Sequence, residues 1–415
     1  MMPDSMEMEV GARIRRLRKA AGLRGSDLAN LVELDSTVIS KIETGQRSLK
    51  STELTRIAMA LQVSPLALIE DNALLSEMPI AARRAGSSIG KGKAYERLLS
   101  LAELHVLLAD AGIPTSPNLF GVPSIENLGW LDGANCLADW ATNELALEGV
   151  QGDHRLAVLA QKIESQLSVD VLIDEFPNDP LSGAAITDRS FPLLFVNSSH
   201  SRTRSLFTLA HELGHLLAGH SGGTVLLDRE LAGSNEEERL ANAFAASYLL
   251  PETDISSSLN ESGRYLSTLV NIAAAHGVGY ETLVYRLHNL RQIDAEVRDR
   301  LMSMSWQGLI KQSMPTLLAS GKTQNEIGGL LGRSELKPAG RPPALLLRRA
   351  FEGFRKGIVS VRPLSGLLKV DAAELLTQLS GESDFPSVSK MFSEAPVVLP
   401  EQAETDEELF SGSPV

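Results

Sequence analysis

His211 and His215 are one helical turn apart in the run His211-Glu212-Leu213-Gly214-His215. On a helix, positions i and i+4 point the same way, so the two imidazoles can hold one divalent cation between them. Leu206, Ala210, Leu213 and Leu217 fall on the opposite side, as the stripe such a helix buries. Glu212 projects about 80° away from the pair, too far round to be a natural third ligand but suited to take a proton from a water beside the metal. A catalytic zinc needs a third protein ligand and one open position. Ser234 and Glu237 form a plausible capping box, which predicts a helix over about 235–250 with Glu236, Glu237 and Glu238 in its first turn. Glu238 shares a face with Asn242, while Leu240, Phe244 and Ser247 lie opposite, so spacing favours Glu238 as the ligand. Gly214 costs about 1 kcal/mol against Ala inside a helix, which implies a close neighbour there.

A second chemistry is written near the start. Apolar residues at 28, 31, 34, 38 and 42 fit two short amphipathic helices joined by a tight turn. Asp35 or Ser36 can cap the second helix, whose exposed early positions are Ser36, Thr37, Ser40 and Lys41. Hydroxyls and a base so placed can reach base edges and phosphates from the major groove. The spacing alone fits a small helical bundle with a solvated polar face equally well. From Gly11 to Ala60 there are ten Lys and Arg against five Asp and Glu, although the whole chain carries −13. Met391 to Val415 carries six acids and no base. The charge is therefore partitioned between a basic head and an acidic end.

The elements that must position these residues are mostly helical. At 415 residues with 43% hydrophobic residues, several domains are expected. Helices are predicted over 10–70, a linker over 73–94, a helical connector over 95–149 and a mixed α+β segment over 150–290. Its strands are predicted at Val169–Ile173, Ala184–Thr187 and Leu193–Val196, punctuated by Pro177, Gly183 and Pro192. A C-terminal helical module is expected over 291–390 for dimerisation or sensing, then an acidic tail over 391–415 read as disordered. Thr323–Ser334 looks like the opening half of another helix-turn-helix, and the Arg348-Arg349 and Arg355-Lys356 pairs read as a solvated helix face. The only cysteine is Cys136, which excludes an internal disulfide and a multi-cysteine metal site and leaves His and carboxylate as metal ligands. No stretch is long and apolar enough for a membrane span, so the chain is expected to stay in the cytoplasm.

Two resemblances sharpen this. Arg13-Ile14-Arg15-Arg16-Leu17-Arg18, Leu28-Ala29, Val38 through Arg47 and Ile57-Ala58-Met59-Ala60-Leu61 resemble the five-helix Xre-like DNA-binding domain over residues 8–72. The resemblance implies double-stranded DNA as partner, read by Ser36, Thr37, Ser40, Lys41 and Arg47. Gly25 stands where members usually carry Gln, and Glu33 where they carry Gly in the turn. His211 through Leu217, followed by Glu238 through Pro251, resembles the ImmA/IrrE family of zinc metallo-endopeptidases. In that family the Glu four residues before the Asn is the third zinc ligand, which here is Glu238.

The family likeness implies a central gluzincin-like domain with a small sheet, Zn2+ as cofactor, His211, His215 and Glu238 as ligands and Glu212 as the catalytic base. Asn242 and His220 are candidates for supporting the ligands, although a residue placed like His220 is more often a surface histidine. Leu193–Asn197 reads either as the strand whose edge receives substrate or as an ordinary core strand. The whole then reads as a DNA-binding regulator, expected as a homodimer, that couples gene control to cleavage of an Xre-like repressor or of itself. The other reading is a DNA-binding regulator or antitoxin-like protein whose zinc domain is a non-catalytic sensor.

Overall fold

The computed structural model describes residues 5–61, 63, 65–70, 72, 74–75, 77–78, 81, 90, 92–219, 225–228, 236–262, 266–319, 321, 323–324, 327, 330 and 337–380. The protein is mainly helical, with one small sheet in its middle. The acidic tail, His220 and most of Thr323–Ser334 lie outside the described residues.

Five short helices open the chain: α1 (Ser5–Ala20), α2 (Gly25–Leu31), α3 (Ser36–Glu43), α4 (Ser51–Leu61) and α5 (Pro65–Ile69). Their apolar positions, among them Ile14, Leu17, Leu28, Ile39, Ile42, Ile57 and Leu68, converge on one core. Helix α1 crosses α3 at Gly11, where a Cβ would lie 2.2 Å from the Ile42 carbonyl oxygen, so no larger residue fits without moving the helices apart. Arg18 then ties the two together: its Nε donates to Glu43 Oε1 at 2.5 Å and its Nη2 to Oε2 at 2.8 Å. The turn between α2 and α3 puts Glu33 at φ +55°, a left-handed conformation that favours glycine.

The sheet has strand order β1-β3-β2-β4, with β1 Asp170–Asp174, β2 Gly183–Ile186, β3 Leu193–Asn197 and β4 Val225–Asp228. β1 runs parallel to β3, in register from Asp170 opposite Leu193 to Asp174 opposite Asn197, and the other pairs are antiparallel. β3 is thus paired on both sides and wholly buried. The reading of Leu193–Asn197 as a substrate-receiving edge is overturned, because its backbone groups are taken by β1 and β2.

Strand periodicity sends alternate residues to opposite faces, and here both faces are covered. Val171, Ile173, Ala185, Leu194 and Val196 join the core that holds Leu206, Leu209, Ala210 and Leu213 of the helix Arg202–Leu217. Leu172, Ala184, Ile186, Leu193 and Phe195 join Leu98, Leu101 and Ala102 of the helix Lys93–Asp110, and Leu346, Leu347 and Ala350 of the helix Ala344–Arg355. This second core is continuous with that of α1–α5. Leu74, Leu75 and Met78, within the stretch read as a linker, are buried in it.

The stretch expected as a C-terminal module divides between the two cores. Leu301, Leu309, Ile310 and Leu317 join the first, whereas Ala344–Arg355 returns to the other face of the sheet. Arg341 bridges to Ile173 at the β1 edge. Asp170 accepts from the backbone N–H of Leu345 at 2.9 Å and of Leu346 at 3.1 Å, while Glu164 accepts from that of Ala344 at 2.9 Å and pairs with Arg341. Two carboxylates thus satisfy the open N–H groups at the start of that helix. Burial pushes the Asp170 carboxyl up to about 7.

Candidate metal centre and DNA-reading face

The helix Arg202–Leu217 starts at Ser201, whose Oγ accepts from the Arg204 N–H at 3.4 Å, and ends before Gly219 at φ +64°. It is buried on nearly every side between the sheet and the helix Glu236–Leu249, and His211, Glu212 and His215 lie in its buried stretch. His211 Nε2 and His215 Nε2 are 3.0 Å apart, and Glu238 reaches both, Oε2 at 3.3 Å from His211 and Oε1 at 3.4 Å from His215. The ligand atoms of His211, His215 and Glu238 all fall within 4.8 Å of one another. Asn242 Oδ1 lies 3.1 Å from His211 Nδ1, an acceptor placed for that ring N–H, and Nε2 faces the cluster. Burial alone would raise the Glu238 carboxyl, but the two imidazoles outweigh it and hold the group well below the usual carboxylate range.

This donor set, two imidazole nitrogens and one carboxylate converging on a common point, fits the three-ligand arrangement of a catalytic zinc. Glu238 keeps 21% of its side chain exposed, so the cluster opens to solvent on that side.

Two glycines set the approach of the neighbouring elements. A Cβ on Gly214 would lie 2.8 Å from Phe244 Cδ1 and 3.2 Å from Ala241 Cα, so Gly214 lets the histidine helix come down on the helix that carries Glu238. This is the close neighbour that a mid-helix glycine implied. A Cβ on Gly183 of β2 would lie 2.3 Å from Glu212 Oε1 and 2.6 Å from Thr208 Cγ2, so the strand is bare where Glu212 rests against it. In the sequence Gly183 reads only as punctuation between strands, since nothing local links it to a glutamate on a later helix. Ser247 donates to Asn135 at 2.9 Å, and Tyr248 donates to the Leu145 carbonyl at 2.8 Å, which anchors this helix on its side away from the cluster. Arg239, next to Glu238, lies 4.8 Å over the Trp130 ring.

On α3, Ser36, Thr37, Ser40 and Lys41 are all exposed, while Ile39 and Ile42 face inward. Arg47 differs from the expectation. Its guanidinium forks onto buried Glu53, with Nη2 2.9 Å from Oε1 and Nη1 3.2 Å from Oε2, which uses two of its five donors within the domain and leaves the side chain 30% exposed. Arg13 and Arg18 are likewise turned inward, leaving Arg15, Lys19, Arg24 and Lys41 among the exposed bases. Arg349 also departs from the solvated face read for it: it is buried, its Nε donating to the Ile113 carbonyl at 2.8 Å and its Nη1 lying 2.8 Å from His105 Nδ1.

Two family matches coincide with these features. Residues 9–70 match a helix-turn-helix domain, and residues 164–288 match the IrrE N-terminal-like domain. Among solved structures, the chain is 36% identical to the restriction-modification controller protein C.AhdI from Aeromonas hydrophila, over 15% of this chain and 92% of that one, with a TM-score of 0.15. It is 14% identical to Bacillus thuringiensis PlcR, solved with the peptide PapR7 and DNA, over 85% of this chain and 99% of that one (TM-score 0.16). It is 13% identical to the competence regulator ComR from Streptococcus vestibularis, over 77% and 100% (TM-score 0.16). TM-scores this low support no argument about the fold. No curated protein matches the chain. Among the described residues, no helix is long and apolar enough to cross a membrane. The chain therefore joins a helix-turn-helix domain at its N-terminus to an IrrE N-terminal-like domain in its middle.

Proposed function

We propose that the protein is a DNA-binding transcription regulator whose central domain is a zinc-dependent endopeptidase. The observation that carries this reading is the convergence of His211, His215 and Glu238 beside a buried Glu212. Zinc held by those three side chains would act as a Lewis acid toward a scissile carbonyl. Glu212 is the proton carrier, taking a proton from the attacking water and passing it to the leaving nitrogen. Asn242 orients His211, and Gly183 leaves the space in which Glu212 stands. Ser36, Thr37, Ser40 and Lys41 read the major groove, and a homodimer would address two half-sites about one helical turn apart. The substrate class is a repressor-like protein or a second copy of this chain, and the domain limits are 8–72 for DNA binding and 150–290 for the peptidase.

One observation favours a sensor reading beside this one. The sheet that backs the metal helix is covered on its other face by a core continuous with the DNA-binding helices. Metal occupancy could then bias DNA affinity without any peptide bond being cut. Incubating the zinc-loaded chain with itself and with Xre-like repressors, and identifying products by mass spectrometry, separates the two. Discrete metal-dependent cleavage supports the peptidase; intact proteins together with a zinc-dependent change in DNA affinity support the sensor.

A further inference from the structure

The helix Ala344–Arg355 turns Leu345, Arg348, Glu352 and Arg355 toward a cleft, with Lys356 just beyond its end. The opposite wall is the loop Ile113–Ser116 together with Ser168. The cleft has a volume of about 790 Å³, within the range of small-ligand sites. It belongs to the layer on the far side of the sheet from the histidine helix, so the metal centre does not account for it.

Its charge is unlike that of the chain. Four bases, Arg348, Arg349, Arg355 and Lys356, line it with one acid, Glu352, in a protein whose net charge is −13. Glu352 is engaged by Lys356 at 2.6 Å and also feels the charges of Arg355 and Arg348, and the bases still outnumber the acid, so the potential is positive. Arg355 and Lys356 also suit the negative end of the helix dipole, but Arg348 sits in mid-helix, where the dipole gives no reason for a base. Arg348 lies one turn from Glu352 and two turns from Arg355, so all three share a face.

The wall opposite is held in place. Arg349 Nε and Nη2 both donate to the Ile113 carbonyl, at 2.8 and 2.5 Å, fixing the loop to the helix. That loop brings Thr115 and Ser116, and Ser168 adds a third hydroxyl to the lining. Guanidinium forks opposed by hydroxyl donors match a tetrahedral oxyanion with several acceptor oxygens. The volume exceeds that of a bare phosphate, which leaves room for the group that bears it.

We propose that the cleft between Ala344–Arg355 and Ile113–Ser116 is a binding site for a small phosphate-bearing anion. Arg348 and Arg355 grip the phosphate, and Thr115, Ser116 and Ser168 complete its hydrogen bonds. The site is separate from both the metal centre and the DNA-reading face, so it stands or falls independently of the peptidase reading.

The test is calorimetric titration of the full chain with inorganic phosphate and with pyrophosphate, at constant ionic strength set by chloride. One saturable equivalent is expected. The double variant Arg348→Ala with Arg355→Ala should lose affinity about tenfold or more, as removal of charged hydrogen bonds implies. Ser116→Asp, which places a carboxylate at the mouth, should lose it too. All three replaced positions are exposed, so circular dichroism and thermal unfolding without ligand should match the parent. Binding should persist in Lys41→Ala and in His211→Ala with His215→Ala, which remove the other two anion-attracting sites. Absence of saturable binding by the parent, its survival in the Arg348/Arg355 variant, or its loss in either control would overturn the proposal.

Discussion

Gly214→Ala probes whether the metal centre depends on the close crossing of two helices. The added Cβ would stand 2.8 Å from Phe244 Cδ1 and 3.2 Å from Ala241 Cα. Ordinary carbon contact is about 3.5 Å, so the helices must part by roughly 0.3–0.7 Å at this point. Phe244 is fully buried and stacked 5.8 Å from Tyr248, which leaves the ring little room to swing aside. Overpacking of this kind costs about 1–3 kcal/mol, offset by about 1 kcal/mol from the better helix propensity of Ala. The net effect on stability is therefore a loss of about 0–2 kcal/mol. The effect on the metal should be larger, because metal sites tolerate errors of only about 0.2 Å, and Glu238 sits on the helix that is pushed away from His211 and His215. Zinc affinity should fall about 10- to 100-fold, the range seen when support of a ligand is lost. Competition with a chelator of known affinity measures this, alongside thermal unfolding of the metal-free protein. Parental zinc affinity in the Gly214→Ala variant, its substitution verified by mass, would refute the claim that the crossing sets the ligand geometry.

The other predictions concern the DNA-binding helices and the sheet edge. Glu33→Gly relieves a left-handed backbone at φ +55° and should raise stability by up to about 1 kcal/mol, read by denaturant unfolding. Lys41→Ala should weaken DNA binding across sequences and reduce the salt slope by about 1. Arg47→Ala should instead cost about 1–3 kcal/mol of stability by leaving buried Glu53 without its fork, with the salt slope unchanged. Asp170 has its pKa raised in the fold to about 7 from the ordinary 3.8. It therefore contributes stability below about pH 4 that is lost as pH rises toward 7, and Asp170→Asn should flatten the thermal-unfolding profile across that window.

What the sequence disclosed and what it withheld divide along contact distance. The histidine pair and the Glu238–Asn242 pair are legible because the members of each lie one helical turn apart, while the family resemblance singles out Glu238 as the third ligand. On α3 the expected stripe of Val38 and Ile42 holds only in part, since Ile39 and Ile42 are buried and Val38 is half-buried, and on α2 Leu31 is exposed. The strands are legible to within a residue or two through their Gly and Pro boundaries, yet no such boundary marks β4, and β3 reads as either edge or core. Strand order depends on pairing partners, and no local pattern in β3 encodes that it lies between β1 and β2. Arg349 read as solvated because its neighbour Arg348 is, and because its acceptor, the Ile113 carbonyl, lies 236 residues earlier. The Arg47–Glu53 fork is not evident in the sequence, since Glu53 looks like an ordinary first-turn acid until α4 brings it beside Arg47. Gly214 announced a close contact by its cost, but only the packing identified Phe244 and Ala241 as its neighbours.

The most direct test of the account is Glu212→Gln in the zinc-loaded chain, with bound zinc and peptide cleavage measured on the same preparation. The substitution keeps the size of a fully buried side chain and leaves His211, His215 and Glu238 in place. The account predicts one equivalent of zinc retained, unchanged DNA binding and cleavage reduced by about 10² or more, the contribution of a positioned general base. Cleavage at the parental rate would contradict it, as would promoter control in cells that responds to inducing conditions as the parent does.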